Sequence, residues 1–456
     1  MARAKKEAAL TPEERLQAAL VPDWEWPYKL PENWCWTTIK NAATVVTGGT
    51  PAKNNSDYYG GEFPFFKPAD LDAGRHVSEA SEYLSDLGKS VSRIIPAQAT
   101  AVCCIGSIGK CGFLDVEGAT NQQINSAIPY FNALYQYFYM NTEFFTNQLR
   151  NSASATTIAI VNKTKMESCY YPLAPLAEQQ RIVDRIESLF AKLDEAKEKA
   201  QAVVDSFETR KAAILHKAFT GELTAKWRRT HGLSLDTWKE VAADFLFEYV
   251  TSGSRGWAKY YDESGAVFIR MGNLDHGTIE LDFSDIQHVK LPNKAEGQRS
   301  RIRKNDILIS ITADVGMVGL VRNDDFEGYI NQHIALARPV MSESAEFIAW
   351  YLVSDIGLKQ MQEKQRGATK VGLSLNDIRA LQLKIPLIEE QNEILKVIKM
   401  WIEKEQQSQE AAEAVLDQID LMKKSILARA FRGELGTNDP SEESAVELLK
   451  KVFQKE

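Results

Sequence analysis

LHKAFTGEL at Leu215–Leu223 recurs as LARAFRGEL at Leu427–Leu435, and these two stretches decide how the chain is organised. Each lies downstream of a second matched stretch, PLAEQQRI at Pro175–Ile182 and PLIEEQNEI at Pro386–Ile394. The two motifs therefore occur twice in the same order. Such self-similarity predicts two copies of one structural unit within a single chain.

Upstream of these motifs the two copies match only at scattered apolar and glycine positions. The paired segments are Phe66–Leu71 (FKPADL) with Ile269–Leu274 (IRMGNL), Ser107–Phe113 (SIGKCGF) with Asp314–Leu320 (DVGMVGL), and Thr120–Asn125 (TNQQIN) with Ile330–Ala335 (INQHIA). Uniform drift after a duplication would blur all parts of the repeat alike. We therefore favour two domains that share a framework and face different ligands.

The well-matched segments are predicted to be long helices. Their apolar residues recur in steps of three and four, each segment begins after a proline, and each ends at a glycine, Gly221 or Gly433. Each spans about 40 residues, or roughly 60 Å. The polar stretch Glu403–Glu413 predicts a bend in the second helix. Neither helix can bury its apolar stripe alone, so the pair is predicted to form an antiparallel coiled coil, as a stabilising hairpin or as a ruler between two domains.

The remaining segments predict small sheets with helices. Short β-prone runs, such as Thr44–Thr47, Ala101–Ile105 and Ile307–Ile311, alternate with turn residues, and helices are expected at Gln136–Arg150 and Glu346–Gln362. The predicted fold class is α+β: two α/β-type domains separated by two long antiparallel coiled-coil helices, with a pseudo-two-fold internal repeat. The expected boundaries are an N-terminal extension at 1–28, a first domain at 29–172, a long helix at 173–230, a second domain at 231–384, a long helix at 385–436 and a tail at 437–456.

The composition indicates a globular chain. Its 456 residues are 44% hydrophobic and 25% charged. A net charge of −8 argues against nonspecific coating of nucleic acid, so a DNA surface must be a local basic patch or must share its phosphate contacts with a partner. No apolar run approaches the roughly 18 residues of a membrane span, and no secretory signal is evident, so we expect a cytoplasmic protein.

Cysteine and histidine spacing predicts no metal site. The six histidines include no HxxxH pair, and no CxxC pair occurs among the five cysteines, Cys35, Cys103, Cys104, Cys111 and Cys169. We expect reduced, structural cysteines in a reducing compartment.

Polar loop residues in both variable domains are suited to phosphates and base edges. Arginine and lysine match guanine or phosphate, and asparagine and glutamine match adenine. A single polar loop residue is more often part of a solvated turn, so the clusters carry more weight than their members. In the first domain the candidates are Thr47, Thr50, Lys53, Asn54, Asn55, Lys67, Ser107, Lys110 and Gln122. In the second they are Ser254, Arg255, Trp257, Lys259, Tyr260, Arg270, Asn273, His276, Arg301, Gln332 and His333.

Motifs for catalysis are absent from the sequence. The nearest approach to a phosphate-binding P-loop ends at Gly109-Lys110-Cys111, with Cys104 where the first glycine belongs. No GxGxxG follows a predicted strand, no GxSxG occurs, and the Asn-Pro-Pro-Tyr run of amino-methyltransferases is missing.

Two variable domains, each followed by a long helix, resemble the specificity subunits of type I restriction-modification systems. PLAEQQRI at the first helix start, LPENW at Leu30–Trp34, AFTGELTAKWR at Ala218–Arg228 and GSRGWAKYY at Gly253–Tyr261 are similar to segments of that family. The resemblance covers Lys29–Gly436. The second helix start departs from the family's form, because it reads PLIEEQ in place of PLAEQ.

The resemblance implies a non-catalytic subunit whose variable domains are target-recognition domains, each reading one half of a bipartite double-stranded DNA target. It implies two modification (M) subunits, which hold S-adenosylmethionine and methylate adenine, and restriction (R) subunits that use ATP and Mg. It implies no cofactor in this chain and no membrane association. Two alternatives stay open: a coiled-coil scaffold that does not bind DNA, and a self-contained nuclease or methyltransferase.

Overall fold

The computed structural model describes residues 11–154, 159–253, 255–291, 297–323, 325–365 and 372–454. The chain divides into two compact units: unit 1 comprises residues 1–198 and 415–456, and unit 2 comprises residues 199–414. The predicted fold class is confirmed, because each unit combines small sheets with helices and two long helices contribute residues to both units.

The described α-helices, in chain order, are α1 Pro12–Ala19, α2 Ile39–Ala42, α3 Asp86–Ser90, α4 Ala133–Met140, α5 Glu143–Ser152, α6 Lys163–Glu167, α7 Leu176–Asp205, α8 Phe207–Phe219, α9 Ala225–Thr230, α10 Ala243–Leu246, α11 Ala345–Val353, α12 Asp355–Lys364, α13 Leu375–Arg379, α14 Ile388–Ala430 and α15 Ala445–Phe453.

The described strands of unit 1 are β1 Cys35–Thr38, β2 Ala43–Thr47, β3 Tyr59–Phe66, β4 Glu82–Leu84, β5 Ile94–Ile95, β6 Thr100–Cys103, β7 Cys111–Phe113, β8 Gly118–Thr120, β9 Ile124–Pro129 and β10 Tyr170–Leu173. Those of unit 2 are β11 Lys239–Ala242, β12 Phe247–Ser252, β13 Tyr261–Asp262, β14 Ala266–Ile269, β15 Gln287–Val289, β16 Ile307–Ser310, β17 Val318–Leu320, β18 Gly328–Ile330, β19 Ile334–Pro339 and β20 Gln382–Ile385.

The two units have the same sheet plan. Unit 1 has an antiparallel sheet of order β2-β9-β6-β7 and a mixed sheet of order β4-β3-β8-β5, in which β3 and β8 run parallel. Unit 2 has the antiparallel sheet β12-β19-β16-β17 and the mixed sheet β13-β15-β14-β18, in which β14 and β18 run parallel. A short antiparallel ribbon, β1 with β10 or β11 with β20, joins the start of each domain to its end.

Each helix predicted inside the variable domains proves to be two helices. Gln136–Arg150 spans α4 and α5, and Glu346–Gln362 spans α11 and α12. The hydroxyl groups of Thr142 and Ser354 accept backbone N–H bonds of 3.1 Å and 3.3 Å at the start of the second helix. The stretches are therefore helical as predicted, and because such caps favour a new helix N-terminus, they explain why each is divided in two.

The long helices also differ from expectation in where they are interrupted. The polar stretch Glu403–Glu413 does not interrupt its helix, since α14 is continuous through it. The interruption falls instead at Ser206, between α7 and α8, where the serine hydroxyl bonds the carbonyl of Ala202 at 2.5 Å. A serine that hydrogen-bonds to the carbonyl of the preceding turn often bends a helix. The Arg210 guanidinium also donates a hydrogen bond to the carbonyl of Val203 at 3.1 Å, next to the interruption.

Within each unit the long helices pair in opposite directions. In unit 1, Lys197 pairs with Asp420 at 3.7 Å, and Asp194 pairs with Lys423. In unit 2, Arg210 pairs with Glu405 at 2.5 Å, whereas residues further along the chain contact Glu390. Residue numbers rise along one helix as they fall along the other, so the pairing is antiparallel as predicted.

Each long helix has a buried glutamate near its start, Glu178 in α7 and Glu390 in α14, and we name these two residues the glutamate anchors. Each accepts a hydrogen bond from a tryptophan indole and further bonds from a segment that follows one of the long helices. Glu178 accepts bonds from Trp34 Nε1 at 2.7 Å, Asn438 Nδ2 at 2.8 Å and the Thr437 hydroxyl at 3.3 Å. Glu390 accepts bonds from Trp238 Nε1 at 3.0 Å, the Thr224 hydroxyl at 2.7 Å and Arg228 Nη1 at 2.5 Å.

The residue after each anchor secures the start of the helix. Gln179 donates to the carbonyl of Ala174 at 2.8 Å, and Gln391 donates to the carbonyl of Pro386 at 3.0 Å. Buried hydrogen bonds therefore explain why both copies carry a Glu-Gln pair. The pair also fixes the alignment of PLAEQ with PLIEEQ, which differ by one residue in length.

Both ends of the described chain contribute to the core of unit 1. Ala19 and Val21 near α1, and Ala445 and Leu449 of α15, are buried there. The tail after the second long helix contains α15, which packs against α1. The five cysteines are free and buried, and burial raises the pKa of the Cys35 thiol to about 12.

Candidate nucleic-acid interface

Polar loops of unit 1 lie together at one end of its antiparallel sheet, where β2 and β6 end and β7 and β9 begin. In its antiparallel sheet, Thr47 at the end of β2 pairs with Asn125, and Cys103 at the end of β6 pairs with Ile124. The loops at 48–58, 104–110 and 121–123 therefore share one end of the sheet. The first domain's candidates lie here, including Lys67, because the carbonyl of Phe66 accepts the N–H of Asn121 at 3.1 Å.

The side chains of this loop cluster interact with one another. The Thr47 hydroxyl donates to Asn125 Oδ1 at 2.7 Å, and the Thr50 hydroxyl bonds Gln122. Lys53, Asn54 and Ser107 are exposed. Asn55 instead caps a short turn, where its side chain accepts the N–H of Asp57 at 3.1 Å.

Unit 2 brings its corresponding loops to the corresponding sheet end. Ser252 at the end of β12 pairs with Ala335, and Ser310 at the end of β16 pairs with Ile334. His333 bonds the Thr312 hydroxyl at 2.6 Å, which links two of these loops. Arg255 and Lys259 are exposed nearby in the chain, and the Lys259 ammonium lies 4.9 Å from the centroid of the Tyr260 ring.

The same turn occurs at the base of both loop clusters. Asn121 accepts the N–H of Gln123 through its side chain at 3.0 Å, and Asn331 accepts the N–H of His333 at 3.0 Å. Gln122 and Gln332 therefore occupy the same position in two equivalent Asn-Gln turns. The repeat of TNQQIN as INQHIA is the sequence signal of this feature.

A glycine packs against the backbone of each Asn-Gln turn. A Cβ on Gly48 would lie 2.1 Å from the carbonyl oxygen of Asn121, and one on Gly253 would lie 2.1 Å from that of Ile330. Neither position has room for a side chain, so both loops depend on glycine for this approach.

Several basic candidates already have acidic partners. Lys67 pairs with Glu82 at 3.0 Å, Lys110 with Asp72 at 2.5 Å, Arg270 with Asp285 at 2.9 Å and His276 with Asp314 at 2.8 Å. At least one partner in each pair is about a third exposed or more, so each pair is worth little in water. These cations can exchange a carboxylate for a phosphate at small cost.

Three candidates of the second domain have other surroundings. Trp257 is buried and stacks on Phe268 with ring centroids 5.5 Å apart. Asn273 is buried, and its amide donates to the carbonyls of Asp282 and Asp285 at 2.8 Å and 3.0 Å, which holds that loop together. Arg301 precedes β16, away from the strand end that carries the loop cluster. Ser254 lies outside the described residues.

Within the described ranges, no group of three or more His, Cys, Asp or Glu side chains is placed to hold a metal ion. None of the described helices combines the length and the apolar character that crossing a bilayer requires.

Comparison with known proteins finds one family model that matches the chain twice, once in each copy of the internal repeat. A family model described as the type I restriction modification DNA specificity domain matches residues 31–204 and again residues 236–414. The chain belongs to the type I restriction-modification specificity subunits. Each of the two matches takes in one variable domain and the first part of the long helix after it.

Relatives in this specificity-subunit family are distant in sequence. The EcoBI specificity subunit of Escherichia coli is 26% identical over 342 residues, covering 70% of this chain and 71% of the relative. The StySPI specificity subunit of Salmonella potsdam is 22% identical over 454 residues, covering 93% of this chain and 96% of the relative.

Solved structures agree with the fold. The HsdS subunit from Thermoanaerobacter tengcongensis gives a TM-score of 0.59 at 18% identity, covering 90% of this chain and all 100% of that chain. A chain from a study of complex assembly and conformational transition of the type I R-M system gives a TM-score of 0.64 at 18% identity with the same coverage, 90% and 100%.

Proposed function

We propose that this specificity subunit recognises a bipartite double-stranded DNA target, with one half-site read by each variable domain. The target-recognition domains are residues 29–172 and 231–384. The loop residues that gather at the two sheet ends make the base and phosphate contacts: Thr47, Thr50, Lys53, Asn54, Lys67, Ser107, Lys110 and Gln122 in the first domain, and Arg255, Lys259, Tyr260, Arg270, His276, Gln332 and His333 in the second. Ser254, which is outside the described residues, is included for its position in the sequence.

One observation carries this proposal: both units place a polar loop cluster on the same sheet end, above the same Asn-Gln turn. The turn and its glycine are shared, whereas the loops around them differ in length, charge and side-chain type. A common base with different loops is what two domains need when they read different sequences. A glutamine at such a turn suits the paired donor and acceptor of adenine.

The long helices are proposed to hold the two domains at a fixed separation and to dock two M subunits. Their exposed apolar residues include Met400, Trp401, Leu421 and Met422. Exposed apolar side chains on a helix pair favour contact with another protein. S-adenosylmethionine is assigned to the M subunits, and ATP with Mg to the R subunits, so that this chain performs no methyl transfer or cleavage itself.

The proposal is tested by mapping adenine methylation across a genome in cells that express the cognate M subunit with and without this chain. We expect a bipartite methylated motif that requires the chain. The matched variants Gln122→Ala and Gln332→Ala should each relax one half of the motif and leave the other half intact, because a bidentate base contact is worth about 1–3 kcal/mol of discrimination.

The alternatives predict different results. A coiled-coil scaffold would form a stable complex with M and yield no new motif. A self-contained nuclease or methyltransferase would turn over DNA when the purified chain is supplied with Mg²⁺ and S-adenosylmethionine alone.

A further inference from the structure

A polar cleft lies beside the loop cluster of unit 1. Its volume is about 770 Å³. One wall is the β6–β7 loop, one is a face of α5, and Lys424 of α14 completes the lining. None of the α5 or α14 residues in this lining was identified from the sequence as a DNA contact.

The cleft is lined with cations. Lys110, Arg150 and Lys424 line it, together with Ser107, Asn141, Thr146 and Asn147, and Glu143 is its acidic lining residue. Lys424 pairs with Glu143 at 3.3 Å, and both side chains are more than half exposed. Arg150 is exposed, and no described residue pairs with its guanidinium.

A close backbone contact holds the two walls together. Gly109 has a φ of +89°, and a Cβ there would lie 2.5 Å from Thr146 Cγ2. The loop that carries Lys110 is therefore fixed against the helix that carries Arg150. The cleft is built by the framework of the domain, and its polar lining is continuous with the loop cluster through Ser107 and Lys110.

Among the described residues, unit 2 repeats two of the walls but has a single lysine, Lys359, in place of the three cations of unit 1. Gly316, with a φ of +101°, packs on Leu358 of α12 as Gly109 packs on Thr146 of α5. The repeat places Met317 where unit 1 has Lys110, Gln362 in place of Arg150 and Ala212 in place of Lys424. Lys359, which replaces Asn147, pairs with Glu363 at 4.0 Å. The common fold therefore does not require the basic residues of unit 1.

We propose that this cleft binds the phosphate backbone of DNA beside the half-site read by unit 1, and that the residues of unit 2 that the structure describes form no equivalent cluster of cations. The inference rests on the proposed DNA-reading function and extends its footprint to α5 and α14. Arg150 and Lys424 contact phosphates and carry no sequence information, since they bind what every DNA sequence shares. On binding, a phosphate replaces Glu143 as the partner of Lys424.

Salt dependence of DNA binding by the assembled S–M complex provides the test. The slope of log affinity against log salt should decrease by about 0.9 for each phosphate that the complex no longer neutralises. We expect Arg150→Gln to reduce the slope by about one and Arg150→Gln with Lys424→Gln by about two. Affinity should fall about tenfold for each substituted cation, equally for the target duplex and for an unrelated duplex. Arg150→Lys should retain most of the wild-type slope.

The matched control is Lys359→Gln at the equivalent place in unit 2, which should leave the slope unchanged. Ethylation of single phosphates should interfere with binding at positions further from the centre of the target on the side of the unit 1 half-site than on the other side. Arg150→Gln should abolish that asymmetry.

Three results would overturn the assignment: a slope equal to that of the Lys359→Gln control, a loss of preference for the target over unrelated DNA, or weakened assembly with M, which would make the cleft a protein-docking surface. Failure of the wild-type complex to prefer any bipartite target would instead refute the proposed function, so the two failures are distinguishable.

Discussion

The two glutamate anchors perform the same task with different partners. In unit 2, Glu390 is held by Thr224, Arg228 and Trp238, which all lie in one short segment of chain at the entry to the second domain. In unit 1, Glu178 is held by Trp34 and by Thr437 and Asn438, which lie 259 and 260 residues after the glutamate. One anchor is made from continuous sequence, and the other is closed by a remote segment.

This difference shows that equivalent partners of the two anchors come from different places in the sequence. The segment after the second long helix does for unit 1 what the segment after the first long helix does for unit 2. It also changes the chemistry, because Glu390 pairs with the buried Arg228, whereas the partners of Glu178 are neutral groups.

Neutralising the anchors should give the largest effect, and an unequal one. Glu390→Gln leaves the Arg228 charge without its partner in a buried site, which costs about 3–5 kcal/mol of the free energy of unfolding of unit 2. Glu178→Gln replaces a carboxylate that only accepts hydrogen bonds with an amide that must also donate, so some of its N–H and O–H donors lose their acceptor. This should lower the free energy of unfolding of unit 1 by about 1–3 kcal/mol.

Hydrogen exchange followed by mass spectrometry measures each unit separately, and the unit that is not mutated serves as the internal control. Equal losses of stability in the two variants would contradict the contrast between a charged and a neutral set of partners.

Adding a methyl group beneath the loop clusters should have an intermediate effect, similar in both units. Gly48→Ala and Gly253→Ala each place a Cβ 2.1 Å from a backbone carbonyl oxygen, and such overpacking costs about 1–3 kcal/mol. Gly49→Ala and Gly272→Ala are the controls, since a Cβ at either site has no atom within 4 Å.

Thermal unfolding of the four variants should separate them into these two pairs. If Gly48→Ala and Gly49→Ala melted alike, the Asn-Gln turn would not depend on this contact.

The smallest effect should appear in unit 1 and should depend on pH. Arg181 pairs bidentately with Glu442 at 2.7 Å and 2.8 Å, and this bond lowers the pKa of the Glu442 carboxyl. A lowered pKa means that the stabilisation is present at neutral pH and is lost as the pH falls through that lowered pKa. At the position of Arg181 the second copy has Glu393, so unit 2 lacks this pair.

Because the pair is partly exposed, Glu442→Gln should cost about 0.5–1 kcal/mol at pH 7. The difference from wild type should vanish in acid when both are unfolded by urea across a pH series. A difference that persists at the lowest pH would assign the destabilisation to packing instead of charge.

The fold was predictable because its signals are periodic and duplicated. Apolar steps of three and four gave the long helices, and the repeat gave the number of domains. The interruptions were less accessible, because Ser206, Thr142 and Ser354 act through single hydroxyl bonds that periodicity does not register. The polar stretch Glu403–Glu413 leaves α14 uninterrupted, because a helix exposed to water tolerates polar residues.

The sequence predicted where the polar loops lie, but it did not predict which of their side chains are exposed. Turn composition marked the loops, and strand pairing then brought them to one sheet end. Trp257 and Asn273 were included because their neighbours in sequence are polar, although both side chains are buried. Arg150 and Lys424, which we propose as phosphate contacts, have no signal in the sequence, because a cation on a helix is ordinarily a solvated residue and only the tertiary structure places these two beside the β6–β7 loop.

The remote closure of the Glu178 anchor sets an order for synthesis on the ribosome. Domains generally fold as units while the chain emerges, with N-terminal parts first. Thr224, Arg228 and Trp238 all precede Glu390, so the anchor of unit 2 has its partners as soon as that glutamate emerges. Glu178 has to wait for Thr437 and Asn438, which are translated after every residue of unit 2. The half of the molecule that is begun first is therefore completed last.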